Sequence, residues 1–371
     1  MIYFDNAATT YPKPQCVYDA LNEGSRKYMF NAGRGSYSTA KETFKMIDAT
    51  REKVASIIST NKENVVFTSS ATESLDNIIY GLQLKEGDNV YVSPFEHNAV
   101  IRPLKSLNVN LIIIPFDKET WKLKTEKLND TMLLKKPKCV IISHISNTTG
   151  FELPYEEIFK TSKKYGSINI LDSAQGFGIY PIDKKNIDYL VFAGHKSLYG
   201  SFGVAGFIKL GNDELKPYKI GGTGSDSLNF NMPDELPYRY EAGSMNSLAI
   251  YSIFSSIDFL KKSNFAEIKH GLSEYFIKSL RKIGNIIVYC PDNYVTRGIV
   301  SFNVKGYTAD EVGTILGEDY DICVRTGYHC CPFIHEFIDS LKYSGTVRVS
   351  FSGFNTKDEI DELISAIKDL G

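Results

Sequence analysis

The chain has 371 residues, enough for a sizeable core and two domains. With 43% hydrophobic and 23% charged residues and a formal net charge of −2, it has the composition of an ordinary globular protein, and no basic surplus to attract nucleic acid or an anionic membrane. The start, MIYFDNAATT, lacks the basic and apolar regions of a signal peptide, and runs such as LIIIPF are too short to cross a bilayer, so a cytoplasmic protein is expected.

From about residue 15 to 260, helical patterns alternate with short β-branched runs. NVVFTSS, DNVYVSP, NLIIIPF, KCVIISH, INILDSA and IDYLVFAG each carry an apolar stretch ending in small or polar residues, which predicts strands. Between them lie helical stretches such as TAKETFKMIDATREKVASIIS and PYEEIFKTSKKYG. The alternation predicts an α/β fold with a mostly parallel sheet covered by helices on both faces. Functional groups in such sheets gather at the carboxyl ends of the strands, and those ends read SSATES, PFEHNA, SHISNTTG, LDSAQ and AGHKS. Burial alone gives no reason for so many polar strand ends.

After about residue 262 the pattern changes. A helix, NFAEIKHGLSEYFIKSLRKI, precedes strands NIIVYCP and GIVSFNV, helix TADEVGTIL, then DICVRTG, TVRVSFSGF and the amphipathic TKDEIDELISAIKDL. The expected division is a large domain over 15–260 and a smaller α/β domain made of 1–14 with 261–371.

Three strand ends suggest chemistry. Lys196 follows a predicted buried strand; a lysine among apolar walls has a lowered pKa and can condense with a carbonyl compound, although a lone strand-end lysine is more often simply solvated. Asp172 ends another strand, where it would need a cationic partner such as a pyridinium nitrogen; a helix-capping role is at least as common. SSATES offers hydroxyls and a helix N-terminus to a phosphate, but many helices start with such caps. The conjunction is more specific than its members: lysine, aspartate and phosphate-type turn are the parts of a pyridoxal-phosphate site.

The blocks YFDNAATT, TSSATES, EHNAVIRP, HISNTTG, LDSAQ, GHKSLYG, EAGSMNS, RTGYHCCP and VRVSFSGFNTKDEID occur in an order that resembles the class V aminotransferase family, within it the cysteine desulfurase and selenocysteine lyase group. The resemblance covers the whole chain and implies fold type I of the pyridoxal-phosphate enzymes, with a mostly parallel seven-stranded sheet. It implies that Lys196 carries the cofactor and moves the substrate Cα proton, that Asp172 pairs with the pyridine nitrogen, and that His97 stacks on the ring. Gln175 would bond the ring hydroxyl and Asn147 would lie beside the ring, facing the substrate too. The backbone at Ala71, with Thr72 and His195, would hold the phosphate. Ser244 would reach the phosphate of a second subunit, which implies a homodimer. Arg348 would grip the substrate carboxylate, with Arg34 a second pocket arginine and Asn6 at the entrance. Two departures stand out: Ala193 replaces a common serine, which removes one phosphate hydroxyl, and Cys331 replaces a common alanine.

RTGYHCCPF remains. Two adjacent cysteines with His329 lack the C-x₂-C pairing of tetrahedral zinc, and neighbouring side chains in extended backbone point apart, so no metal is expected. A vicinal disulfide would need a strained ring. The resemblance implies instead that Cys330 is a mobile nucleophilic thiol that attacks the sulfur of L-cysteine, leaving alanine and an enzyme persulfide. Cys331 is either a small packing residue or a second stop for the sulfur. The short loop and the HC-x-P-x-x-H pattern resemble one subgroup of the short-loop branch. There His335 could tune the thiol, meet a sulfur-acceptor protein, or only pack. Competing readings are a selenocysteine lyase, another class V activity such as a β-lyase or aminotransferase with Cys330 incidental, and a sulfur-relay subunit. The destination of the sulfur, from iron–sulfur clusters to thiolated tRNA, is not written in the pocket residues.

Overall fold

The computed structural model describes residues 1–32, 35–225 and 227–370. A two-residue strand β1 (Ile2–Tyr3) is followed by helices α1 (Gln15–Lys27) and α2 (Ser38–Ile57). Strands and helices then alternate: β2 (Val65–Thr68), α3 (Ala71–Gly81), β3 (Asn89–Val92), α4 (Asn98–Ser106), β4 (Asn110–Ile113), α5 (Thr125–Leu134), β5 (Cys139–Ser143), α6 (Tyr155–Ser162), β6 (Ile168–Asp172), β7 (Tyr189–Ala193) and β8 (Ala205–Lys209). The long helix α7 (Ser247–Leu260) closes this part.

Strands β2 to β8 form one sheet in the order β2-β8-β7-β6-β5-β3-β4. Only β8 runs against its neighbours; the ladders from β7 through β6, β5 and β3 to β4 are parallel. The α/β fold with a mostly parallel sheet is therefore present. Continuous burial along β5, β6 and β7 matches their uninterrupted apolar sequences, since both faces are covered. β8 is not marked by the apolar pattern of the other strands, because GVAGFIKL carries a glycine in mid-strand. Its reason is steric: a Cβ on Gly206 would lie 2.3 Å from the Val66 carbonyl oxygen and 2.5 Å from the Phe192 ring.

The remainder comprises α8 (Phe265–Leu280), β9 (Ile286–Val288), β10 (Ile299–Val304), α9 (Ala309–Tyr320), β11 (Ile322–Cys323), α10 (Ile334–Phe337), β12 (Val347–Ser350) and α11 (Lys357–Lys368). β12, β10 and β9 make an antiparallel sheet, while β1 pairs in parallel with β11. A separate apolar core joins α8, β10, β12 and α11, and Phe4 from the N-terminal segment packs into it. Thr308 and Thr356 start α9 and α11 with complete capping boxes, which fixes where each helix begins.

Candidate active site

Three strand ends converge at the carboxyl edge of the large sheet. Asp172 ends β6, in register with Ser143 at the end of β5. β7 stops at Ala193, and Lys196 follows three residues later. Beside them α3 starts at Ala71, capped by Ser70, whose Oγ accepts from the Glu73 amide at 3.1 Å. The first-turn amides of Ala71 and Thr72 have no acceptor within the helix and face the edge as donors. His97 caps α4, its Nδ1 accepting from the Ala99 amide at 3.0 Å. One pocket is lined by Ala71, Thr72, His97, Asn147, Asp172, Gln175 and Lys196 together.

Burial lowers the Lys196 pKa, while Asp172 opposes that fall. Burial likewise raises the Asp172 carboxyl, whose Oδ1 accepts from the Ala174 amide at 3.0 Å. The same desolvation, with Lys196 and Arg348 nearby, holds His97 down at about 4, so its ring is neutral. His195 is depressed to about 3 by burial and by Lys196 and Lys13, and its buried Nδ1 has no partner among the described residues.

The N-terminal segment covers this edge. The His195 carbonyl accepts from the Thr10 amide at 3.2 Å and from Lys13 Nζ at 3.0 Å, and Gln175 Nε2 donates to the Ala7 carbonyl at 2.9 Å. Asn6 is buried, with its Nδ2 donating to the Ser350 carbonyl at 2.9 Å and its Oδ1 accepting from the Tyr11 amide at 3.1 Å. Its side chain thus ties the segment to β12. Next along β12, buried Arg348 donates from Nη1 to the Asn147 carbonyl at 2.9 Å and from Nη2 to Asp5 Oδ1 at 2.6 Å. Its Nε is buried without an acceptor among the described residues, a donor left over for a ligand.

The cysteines arrive on a hairpin-like excursion. Arg325 and Gly327 exchange backbone bonds with Arg348 and Thr346, and the chain then turns at Tyr328–Cys331, closed by the Cys331 amide on the Tyr328 carbonyl at 2.9 Å. His329 and Cys330 have φ of 48° and 56°, as a type I′ turn requires, in a region that L residues other than Asn and Asp seldom occupy. External bonds hold the turn. Asn147 Nδ2 donates to the His329 carbonyl at 2.8 Å, and the Asn98 amide donates to the Cys330 carbonyl at 2.7 Å. His329 Nε2 lies 2.8 Å from Thr346 Oγ1 and 3.0 Å from its carbonyl. The Cys330 side chain is exposed, whereas Cys331 is buried; both thiols are free. Cys331 Sγ donates to Asn147 Oδ1 at 2.7 Å, and burial pushes its thiol up to about 12. That places Cys331 in the framework of the site.

Ser244 is exposed and lies outside the Lys196 pocket, on a surface hollow shared with Phe30 and Gly222–Gly224. Arg34 lies outside the described residues. Ala193 is buried at the end of β7 opposite Ala205. Glu96 escaped the sequence reading. It is fully buried; Ser143 donates to it from its amide at 2.9 Å and from Oγ at 2.7 Å, and Ser93 Oγ is a third donor. Burial raises its carboxyl to about 7 in spite of these donors. The available signal was a carboxylate at a strand's carboxyl end, directly before His97.

The fold is that of the α/β enzymes built on a mixed seven-stranded sheet, and a pocket lies at its carboxyl edge. More narrowly, the chain belongs to the aminotransferase class-V family, whose model matches residues 2–363. It is 31% identical to a probable cysteine desulfurase of Methanothermobacter thermautotrophicus, over all of this chain and 94% of that protein. It is 29% identical to a cysteine desulfurase of Haloferax volcanii, covering 99% of this chain and 88% of the relative. Among solved structures, the apo cysteine desulfurase of Thermococcus onnurineus superimposes with a TM-score of 0.90 at 29% identity, covering 100% of this chain and 94% of that one.

Proposed function

We propose that the protein is a pyridoxal-phosphate-dependent cysteine desulfurase that moves the sulfur of L-cysteine onto Cys330 and releases L-alanine. One observation carries the reading furthest: the Cys330 backbone is bonded to Asn98, the residue after His97, so an exposed thiol is anchored at the rim of the Lys196 pocket.

The residues present fit the cofactor. A buried amine with a lowered pKa suits condensation with its aldehyde, and a buried carboxylate without an ion-pair partner among the described residues suits its ring nitrogen. The first-turn amides at Ala71 and Thr72 and the unpartnered Nδ1 of His195 suit its phosphate, and a neutral His97 suits a place against its ring. When bound, this group supplies an electron sink that lets the substrate Cα release its proton.

Arg348 orients the substrate through its carboxylate, a task for a guanidinium whose Nε is left as a donor, and Arg34 acts as a second pocket arginine. Lys196, whose pKa burial lowers, takes the proton from Cα and returns it. Cys330 attacks as thiolate on the substrate sulfur. A new S–S bond forms as the substrate Cβ–S bond breaks, and the electron pair stays with the carbon fragment, which is protonated to alanine. Because the thiol must remain reduced to attack, a reducing compartment such as the cytoplasm is its natural setting. Exposure of Cys330 suits onward transfer to an acceptor protein, and Ser244 completes the phosphate site of a second copy in a homodimer.

The test is incubation of the holoenzyme with L-cysteine, with alanine measured and the added sulfur located by mass spectrometry. Wild type forms alanine and carries one extra sulfur on Cys330; Lys196→Ala forms none, and Cys330→Ser keeps the cofactor absorbance but carries no persulfide. Full alanine formation by the Cys330 variant would remove the thiol mechanism.

A further inference from the structure

His335 has no part in the mechanism above, yet it is buried beneath the turn that presents Cys330. It lies in α10, with its Nε2 2.9 Å from the Tyr328 carbonyl and its Nδ1 2.7 Å from Ser340 Oγ. A carbonyl only accepts, so Nε2 carries the ring proton and donates it to Tyr328. Burial keeps the ring below its ordinary pKa, hence neutral, and Nδ1 then accepts from the Ser340 hydroxyl. The Ser340 amide in turn bonds the His335 carbonyl at 2.9 Å. One side chain thereby joins α10, the Ser340 bend and the cysteine turn.

The carbonyl it reaches is the one that closes that turn, where it already accepts from the Cys331 amide at 2.9 Å. Two successive non-glycine residues with positive φ are disfavoured by the contact of Cβ with the backbone. Such a turn persists only where its surroundings over-determine it. Cys330 is one of those two residues, so the same backbone conformation fixes the direction in which its thiol leaves the chain. The Tyr328 ring lies edge-on to the imidazole, with centroids 5.1 Å apart. Both ring nitrogens are satisfied, as burial requires, and one of the two bonds goes to the turn that carries Cys330.

We propose that His335 is a positioning residue for sulfur transfer: through the Tyr328 carbonyl it holds the I′ turn that aims Cys330 at the substrate sulfur. The proposal rests on Cys330 as the sulfur-accepting thiol. It also explains the spacing in HC-x-P-x-x-H: four residues between Cys330 and His335, one of them a proline, carry the chain out of the turn and into α10, bringing the ring back under it.

The test compares wild-type, His335→Leu and His335→Gln holoenzymes with L-cysteine as substrate. Displacing the thiol by about an ångström lowers kcat for alanine formation roughly ten- to a hundredfold in His335→Leu. KM and the visible cofactor absorbance stay unchanged, because Arg348 and the Lys196 pocket are intact. His335→Gln, whose amide can still donate to Tyr328, recovers most of the rate. Adding His335→Leu to Cys330→Ala changes residual alanine formation no further. Ser340→Ala gives a smaller kcat loss of the same kind, and it decides the matter if His335→Leu does not fold. The proposal is overturned by an unchanged kcat in His335→Leu or, failing that variant, in Ser340→Ala. It is also overturned by a Gln variant no better than Leu, or by an equal loss in the Cys330→Ala background. If wild type itself forms no alanine from cysteine, the functional reading fails first and takes this one with it. Wild-type turnover that is indifferent to His335 rejects this proposal alone.

Discussion

At the residue scale the two adjacent cysteines differ in almost every physical respect. Cys330 is exposed and sits at positive φ, whereas Cys331 is buried and its thiol is bonded to Asn147 Oδ1. A thiol held near 12 is almost wholly protonated at neutral pH, which suits a hydrogen-bond donor and not a nucleophile. Cys331→Ala therefore removes the donor to Asn147 and leaves a small void, at a cost of about 1–2 kcal/mol in chemical denaturation. Alanine formation stays within about threefold of wild type, since Cys330 keeps its turn. Loss of all sulfide release in this variant, with Cys330→Ala active, would reverse the two roles. The sequence could place Lys196 and Asp172 because a strand-end position is a local property. It left Cys331 open between packing and relay because its partner, Asn147, lies 184 residues away.

At the scale of elements, strand order makes the site. Six strand patterns, five of them with polar ends, are enough to name the edge where chemistry gathers, but not the neighbours along it. Once β3 and β5 pair in parallel, Glu96 after β3 meets Ser143 at the end of β5, and no sequence pattern announces that contact. The buried Glu96 carboxyl titrates at about 7 in the folded chain against an ordinary value of 4.5. Between those two values the folded state holds a proton that the unfolded state has released, so this group's stabilisation is full below 4.5 and is lost as pH rises through 7. Glu96→Gln lacks that dependence while keeping an oxygen for the Ser143 amide. Urea denaturation of both proteins at pH 5 and pH 8 should show wild type losing ground to the variant at the higher pH, by on the order of 2–3 kcal/mol. His97 and His195 titrate in both proteins and cancel in the difference. A gap that does not change with pH would mean that Glu96 is ionised throughout.

At the scale of the molecule, the segment that begins at Ile220, part of which lines the Ser244 hollow, leaves large apolar side chains in water. Phe230 is fully exposed, Leu228 is 93% and Ile220 72% exposed, and Gly221 packs its amide on Met232 in the same region. Phe30, Gly222–Gly224 and Ser244 share one hollow, which brings the N-terminal helical region to this face. Phe202, next to the Lys196 turn, is also 63% exposed although one face of its ring stacks on His195 at 4.5 Å. Large aromatic and aliphatic side chains left in water suit an interface, and a two-fold axis would let each copy cover the other's patch. Placing a charge at its centre should be costly only in the assembled state. If a second copy covers this patch, the wild type sediments as a dimer and Phe230→Glu as a monomer at the same concentration, with an unchanged folded far-ultraviolet spectrum. If Ser244 serves the phosphate of the other copy, the monomer also retains less cofactor on dialysis, and Ser244→Ala reproduces that loss while remaining dimeric. A wild-type protein that sediments as monomer, or a monomeric Phe230 variant with full cofactor occupancy, would separate this face from the site and leave Ser244 a surface residue.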